Sequence, residues 1–457
     1  MTEQVHDAAD TTDNPQWLRL LPDAARRRLA GRTHLLNVIH NTGWLFVDKV
    51  MRALVGVLVG AWVARYLGPS EFGELAYVLA FVAFFSVVSQ LGLDGVAIRD
   101  MALRKQASSA ILGTVLRLRL LSGIVCWCAA IGAMMLLRPG DTQSLILTSI
   151  VAGSVLFQAA DSVDLWFQSQ TQSKRTVLAK AFAYLISNGV RVLFILAKAP
   201  LAAFAFVNLL EIGLAAIALW VSYQRYSSPE RWTWDRQTAG RLSNECWPYL
   251  LSGLAVIVYI RIDQIMLREL VNEHDLGIYS AALPLSTAFY FIPVAISMSV
   301  GPLIAQRRVN DTEGYLRALS HLFSLMWWIM LPLSATVALF SKPLVLWLYG
   351  PAYAASAGVL AIHVFSNIPV ALGVIQSTWI VNERRSNISL YRTLMGAACN
   401  VALNLILIPS HGAVGAAIAT LCSQVVAAIL SNIVLAPNML KMQIRSVLPT
   451  TKLRENQ

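Results

Sequence analysis

Apolar runs of 18 or so residues and more recur along nearly the whole chain. As a helix rising ~1.5 Å per residue, each is long enough to cross a hydrocarbon layer of ~30 Å. Where lipid replaces water, a backbone amide must find its partner inside its own segment or in a closed barrel, and continuous runs of this length meet that demand as α-helices. The pattern predicts an all-α, polytopic membrane protein of about twelve transmembrane helices, at roughly 43–66, 73–97, 110–137, 144–168, 178–197, 200–222, 246–268, 278–302, 319–340, 354–381, 388–408 and 412–436. Charged residues make up 13% of the 457, against about 25% in soluble domains. Water is not the main solvent of such a surface.

The loops give an orientation, because cytoplasmic loops carry an excess of Lys and Arg. One set holds Arg99, Arg104 and Lys105, then Lys174, Arg175 and Lys180, then Arg225, Arg231, Arg236 and Arg241, then Arg307, Arg308 and Arg317, then Arg384, Arg385 and Arg392. The alternate set holds only Arg65, Arg138, Lys198, Arg268 and Lys342. Both termini are therefore expected in the cytoplasm. The net charge of +11 follows from this topology and from anionic lipid, with no call for nucleic acid. Residues 1–42 are polar and basic and show no cleavable signal. Within them Trp17, Leu18, Leu20 and Leu21 precede Arg26, Arg27 and Arg28, the composition either of a short segment lying on an anionic surface or of a basic tail.

The longest polar interruption, 223–245, divides the spans into six and six. The expected organisation is a cytoplasmic arm (1–42), a first lobe (43–222), a cytoplasmic linker (223–245), a second lobe (246–436) and a cytoplasmic tail (437–457). Cys126, Cys128, Cys246, Cys399 and Cys422 lie in or beside apolar runs without metal-ligand or disulfide spacing, and read as packing residues. No nucleotide-binding Gly-rich loop, His-Glu-x-x-His or Asp-x-Asp pair is present, so neither a catalytic residue nor a metal or cofactor is expected. The loops of the less basic set are short, leaving an enzyme nowhere to mount a site except inside the bundle. Transport is the simpler reading.

The informative residues are charges placed where charge is expensive, at least ~2.5–3.5 kcal/mol at the bilayer centre. Lys49 and Arg52 share one face of the first span, with Asp48 at ion-pair spacing from Arg52, and either line a cavity or snorkel to headgroups. Arg117 and Arg119 fit snorkelling better. Arg191 and Arg261 lie about 13 to 15 residues into their spans, ~20 Å deep, where snorkelling is hard. They need an anionic ligand or a carboxylate, and Glu211, Asp161, Asp164 and Asp263 are the candidates. Asp263 is two residues from Arg261 and so points to a different face. Asp161 and Asp164 form a polar stripe with Gln158 and Gln168, suited to a water-lined path or to polar helix packing. These four carboxylates are the candidates for proton or ion coupling. Asn400 and Asn404 read as interhelical hydrogen-bonding residues, and Gly412, Gly415, Ala416 and Ala419 as a close-packing face. Pro284 and Pro293 mark the eighth span as one that bends.

Short motifs carry a resemblance. Arg65-Tyr66-Leu67-Gly68-Pro69-Ser70-Glu71-Phe72-Gly73, then Gly92-Leu93 with Arg99 and Ala102, resembles the opening of the polysaccharide-export family, the Wzx-type O-antigen and exopolysaccharide flippases. Tyr259-Ile260-Arg261-Ile262-Asp263, Gly277-Ile278-Tyr279-Ser280-Ala281-Ala282, Leu348-Tyr349-Gly350 and the stretch from Gly412 to Thr420 continue it in order. The resemblance implies the multidrug/oligosaccharidyl-lipid/polysaccharide exporter superfamily and its MATE-like fold, two six-helix lobes around a central cavity. It implies an undecaprenyl-pyrophosphate-linked oligosaccharide as substrate, moved across the bacterial inner membrane by alternating access, with membrane lipid, a polysaccharide polymerase and a chain-length regulator as partners. The family's cationic lumen carries over to Arg261; Lys49, Arg52 and Arg191 are assigned from depth alone. Competing readings are a membrane polymerase or transferase of the same pathway, a lipid II flippase, against which the lack of further spans after 436 weighs, and a multidrug exporter, against which the positive intramembrane charge weighs.

Overall fold

The computed structural model describes residues 33–225 and 232–447, the side chains of 33–48 and of Lys105 excepted. The segment around Trp17 and Arg26, the Asp48 carboxylate, and the tail cations Lys452 and Arg454 lie outside the described residues. Those described form helices and no strand: α1 (Thr33–Gln90), α2 (Asp94–Leu103), α3 (Ser108–Leu137), α4 (Thr142–Phe157), α5 (Asp161–Ser169), α6 (Ser173–Leu196), α7 (Leu201–Gln224), α8 (Arg236–Leu270), α9 (Glu273–Thr287), α10 (Phe291–Asn310), α11 (Thr312–Leu339), α12 (Ser341–Tyr349), α13 (Ser356–His363), α14 (Asn367–Asn382), α15 (Ser386–Val425), α16 (Asn432–Leu435) and α17 (Pro437–Arg445).

Ten helical stretches among the described residues are long and apolar enough to cross a bilayer. Two are too long for one pass, Lys49–Leu103 with 55 residues and Ser386–Leu435 with 50; as straight helix they would measure about 75 to 80 Å. Each is broken by a glycine in a conformation that other residues resist, Gly68 at φ 73°, ψ 170° and Gly412 at φ 53°, ψ −132°. Two passes in each make the architecture consistent with twelve spans. Three other spans are interrupted by single 3₁₀ turns, at Gln158–Ala160, Ala288–Tyr290 and Val364–Ser366. The second of these falls between Pro284 and Pro293, in the span expected to bend. Helix starts after loops are capped by side chains, Asp141 accepting from Ser144 N (3.0 Å), Asn272 from Asp275 N (2.8 Å) and Asp311 from Gly314 N (2.8 Å).

Burial organises the helices into lobes. One apolar core joins α1, α4 and α7 to α9, α12 and α13, and includes Ala64, Tyr77, Leu276 and Tyr353. This joint core lies at the end of the bundle that carries the loop set poorer in Lys and Arg, called the outer end below. At the inner end there are two separate cores, one of Leu93, Ile111, Phe167 and Leu242, the other of Ile304, Phe323, Leu372 and Met439. The lobes are thus sealed together at the outer end and packed apart at the inner end.

The outer seal is close. A side chain at Gly73 would overlap the Glu273 carbonyl, and one at Gly277 the Pro69 carbonyl, so α1 and α9 meet backbone to backbone. Ion pairs between lobes surround this contact, Arg268 Nε to Glu74 at 3.1 Å and Arg138 Nη2 to Glu269 at 3.1 Å. The Tyr353 hydroxyl donates to the Ala64 carbonyl across the same boundary at 2.8 Å.

At the inner end α8 starts fastened to the first lobe. Asp235 N donates to Thr114 Oγ1 (3.1 Å), Arg241 pairs with Asp100 (2.6 Å) and Glu245 with Arg99 (2.7 Å). From Asp263 onward the same helix is bound into the second lobe, so the junction of the two lobes runs along α8. Arg119, expected to snorkel, is instead 3% exposed and pairs with Asp94. Asn404 donates to Asn400 (3.0 Å) and Asn400 to Ser423 (3.3 Å), the interhelical role their spacing suggested.

Candidate functional site

Two cavities open between the lobes, and a third adjoins them within the first lobe. The first, of about 520 Å³, is lined by Lys49, Arg52 and Gly56 of α1 and by Pro284, Thr287 and Tyr290 of the second lobe. The second, of about 480 Å³, has Phe72, Gln158 and Asn208 on one side and Arg261, Gln264, Ser280 and Pro284 on the other. The third, of about 310 Å³, lies in the first lobe among Arg52, Gln158, Asp161, Lys180 and Glu211. Shared lining residues, Arg52, Pro284 and Gln158, make them one branched hollow.

The candidate cations occupy different settings. Arg261, half-buried on α8, donates to Gln264 Oε1 at 3.2 Å and has no carboxylate within 4.0 Å among the described residues. Lys49 is exposed on the wall of the first cavity. Arg52 sets its guanidinium 4.6 Å from the centre of the Tyr184 ring, and the Tyr184 hydroxyl donates to the Arg52 carbonyl at 3.0 Å. Arg191 is paired: its guanidinium reaches Glu211 at 3.2 Å and Asn188 Oδ1 at 3.0 Å. Of the two deep arginines, one holds an acid and the other does not.

The candidate carboxylates divide likewise. Asp161 and Asp164, three apart on α5, both bind Lys180 of α6, at 2.8 and 2.6 Å. Asp161 and Glu211 reach the cavity. Asp263 does not; it is 3% exposed inside the second lobe, accepting from the Tyr279 hydroxyl, from Thr420 (3.3 Å) and from Gln264 N (2.8 Å). Arg261 and Asp263 therefore diverge, as residues two apart on one helix do.

Lys180 was counted from sequence with a basic inner loop. Its place seven residues into α6 brings it level with the α5 carboxylates, and the signal was available in the short α5–α6 turn, which folds position 180 back beside 161 and 164. Among the described residues no group of three His, Cys, Asp or Glu is arranged to hold a metal. The wall of the hollow carries Lys49, Arg52, Lys180 and Arg261, the carboxylates of Asp161 and Glu211, and polar neutral groups such as Gln264, Asn208 and Ser280.

Two family profiles match the chain, one described as Polysaccharide biosynthesis protein over residues 38–308 and one described as Lipid II flippase MurJ over residues 190–452. Among curated proteins it is similar to the "Putative O-antigen transporter" of Shigella dysenteriae, 24% identical over 86% of this chain and 96% of that protein. Among solved structures it is similar to an inward-facing multidrug resistance MATE family transporter of the MOP superfamily, with a TM-score of 0.70 at 13% identity, over 87% of this chain and 99% of that one. It is also similar to the lipid II flippase MurJ in an inward closed conformation, with a TM-score of 0.69 at 12% identity, over 90% and 91%. The fold is accordingly MATE-like.

Proposed function

This chain belongs to the polysaccharide biosynthesis protein family and, through its second half, to that of the lipid II flippase MurJ, and we propose from that premise that it moves an undecaprenyl-pyrophosphate-linked oligosaccharide from the cytoplasmic to the periplasmic leaflet of a bacterial inner membrane. It is a multi-pass membrane transporter rather than an enzyme. Its product would feed O-antigen, capsule or exopolysaccharide assembly, by way of a polysaccharide polymerase and a chain-length regulator.

The observation that carries the reading is Arg261, a half-buried guanidinium with no carboxylate within 4.0 Å among the described residues, facing a hollow of about 480 Å³ between the lobes. A pyrophosphate is a compact polyanion, and charge-assisted hydrogen bonds to Arg in a low-dielectric site bind it well. Lys49 and Arg52 extend the cationic wall towards the inner end, while Arg191 serves that wall indirectly by holding Glu211. The polyprenyl tail stays in lipid between the lobes, so only the polar head crosses.

The way the lobes are joined supports alternating access. With the outer end sealed at Gly73 and Gly277 and the inner cores separate, the head enters from the cytoplasmic side. Rocking the lobes, 43–222 against 246–436, would part the outer ion pairs and close the inner gap. Both termini stay in the cytoplasm, in keeping with the basic loops.

The test is leaflet-resolved assay of a lipid-linked oligosaccharide in vesicles reconstituted with the purified protein. Arg261→Ala removes charge-assisted bonds worth about 2 kcal/mol, and transport by the variant should fall roughly 30-fold. Wild-type rates in that variant would remove the site, and a synthetic product formed by the wild-type protein would favour a polymerase or transferase.

A further inference from the structure

Most half-buried arginines of this protein hold a carboxylate, as Arg138 holds Glu269 at 3.1 Å and Arg268 holds Glu74 at 3.1 Å. Arg392 of α15, which the cavities above do not include, is an exception. Its guanidinium donates to Ser377 Oγ at 2.7 Å and to the Gly373 carbonyl at 3.2 Å, both on α14, and no carboxylate lies within 4.0 Å among the described residues. Two bonds to neutral oxygens use part of a five-donor fork and leave its charge uncompensated.

The direction of the side chain is informative. Arg392 is six residues into α15, ~9 Å from its inner end. Helix α14 runs the opposite way and ends at Asn382, so Gly373, nine residues earlier, is ~14 Å from the same end. The arginine reaches away from the inner headgroups, opposite to snorkelling. Its depth relative to Arg261 follows from the approach of α15 to α8. A side chain at Gly396, one turn beyond Arg392, would sit 3.1 Å from the Tyr259 ring, and Arg261 is two residues further along α8. That places Arg392 about six residues, ~9 Å, to the inner side of Arg261.

We propose that Arg392, held in place by Ser377, binds a phosphoryl group of the diphosphate head on the inner side of Arg261, a first station that the head occupies before the deeper one. This assignment rests on the transport of a lipid-linked diphosphate argued above. The neutral acceptors hold the guanidinium in place while leaving its charge for an anion; the Ser377 hydroxyl spends its own proton on the Gly373 carbonyl at 2.9 Å and so positions the arginine rather than the phosphate. An anionic phospholipid presents the same phosphoryl chemistry, so the test separates the two sources.

The full-length protein in phosphatidylcholine nanodiscs is titrated with farnesyl diphosphate, a sugar-free probe, and again in discs containing phosphatidylglycerol, with thermal unfolding of each variant recorded. Arg392→Gln should weaken farnesyl diphosphate binding about tenfold or more, Arg392→Lys less, and Ser377→Ala severalfold, with unfolding midpoints near wild type. Unchanged affinity in Arg392→Gln overturns the site; should that variant fail to fold, unchanged affinity in both Arg392→Lys and Ser377→Ala does so. An effect that disappears when phosphatidylglycerol is present shows the position to be a phospholipid site and overturns the diphosphate assignment. Wild-type protein that binds no farnesyl diphosphate overturns this site and the proposed function together, whereas wild-type binding that only Arg261→Gln weakens overturns this site alone.

Discussion

Arg191 and Arg261 lie at similar depth in their spans, and from sequence they carried the same two readings, a structural pair or an anion site. Contact with Glu211 at 3.2 Å gives the first its acid, while Arg261 has only Gln264 at 3.2 Å. Depth is a property of position along one helix and can be counted; pairing depends on which helix stands opposite, and no single-helix spacing encodes that. Lys180 makes the same point, since it was grouped with a loop until α6 brought it to Asp161 and Asp164. The four candidate coupling carboxylates are likewise told apart by surroundings, two on the hollow, one sharing Lys180, and Asp263 enclosed with Tyr279 and Thr420. If transport is proton-coupled, replacing Asp161, Asp164, Glu211 and Asp263 in turn by their amides should abolish, in at least one variant, the response of transport to an imposed pH gradient at fixed membrane potential. An undiminished response in all four would discard coupling through these groups.

At the scale of elements, apolar length was the dependable signal, because a helix crossing lipid has few alternatives. What length does not mark is where a run turns back. Gly68 and Gly412 do so at positive φ inside stretches that are otherwise continuous helix. The expected spans 43–66 and 73–97 part at Gly68-Pro69, and the backbone supplies the physical reason, a conformation only glycine adopts cheaply followed by a residue suited to a helix start. Gly73 follows the first expected span much as Gly277 follows the seventh. In the structure they face each other at the outer seal, where either side chain would strike backbone of the opposite helix. Gly73→Val should therefore hold the outer end apart. The expected outcome is a loss of transport together with faster labelling of Ser280→Cys, on the cavity wall, by a membrane-impermeant maleimide added from the outer side. Labelling at the wild-type rate would show that the seal does not depend on that contact.

For the whole molecule, the informative asymmetry is one joint apolar core at the outer end against two separate cores at the inner end. A transporter that works by rocking must exchange these conditions, so a bond across the outer seal should stop it. Cysteines at Glu74 and Arg268, whose side chains now pair at 3.1 Å, joined by a short thiol-specific cross-linker, are expected to arrest transport, with activity restored when the link is cleaved. Continued turnover with the link intact would reject alternating access. The all-α, many-span architecture and the presence of costly intramembrane cations were readable in the order of residues, because lipid imposes on each segment separately the requirements of length and polarity. Which cations keep an uncompensated charge, where the lobes touch and which end is open were decided only by packing. These depend on contacts between residues as distant as Glu74 and Arg268 or Tyr259 and Gly396, and such pairings arise from the fit of one helix against another rather than from any periodicity within a helix.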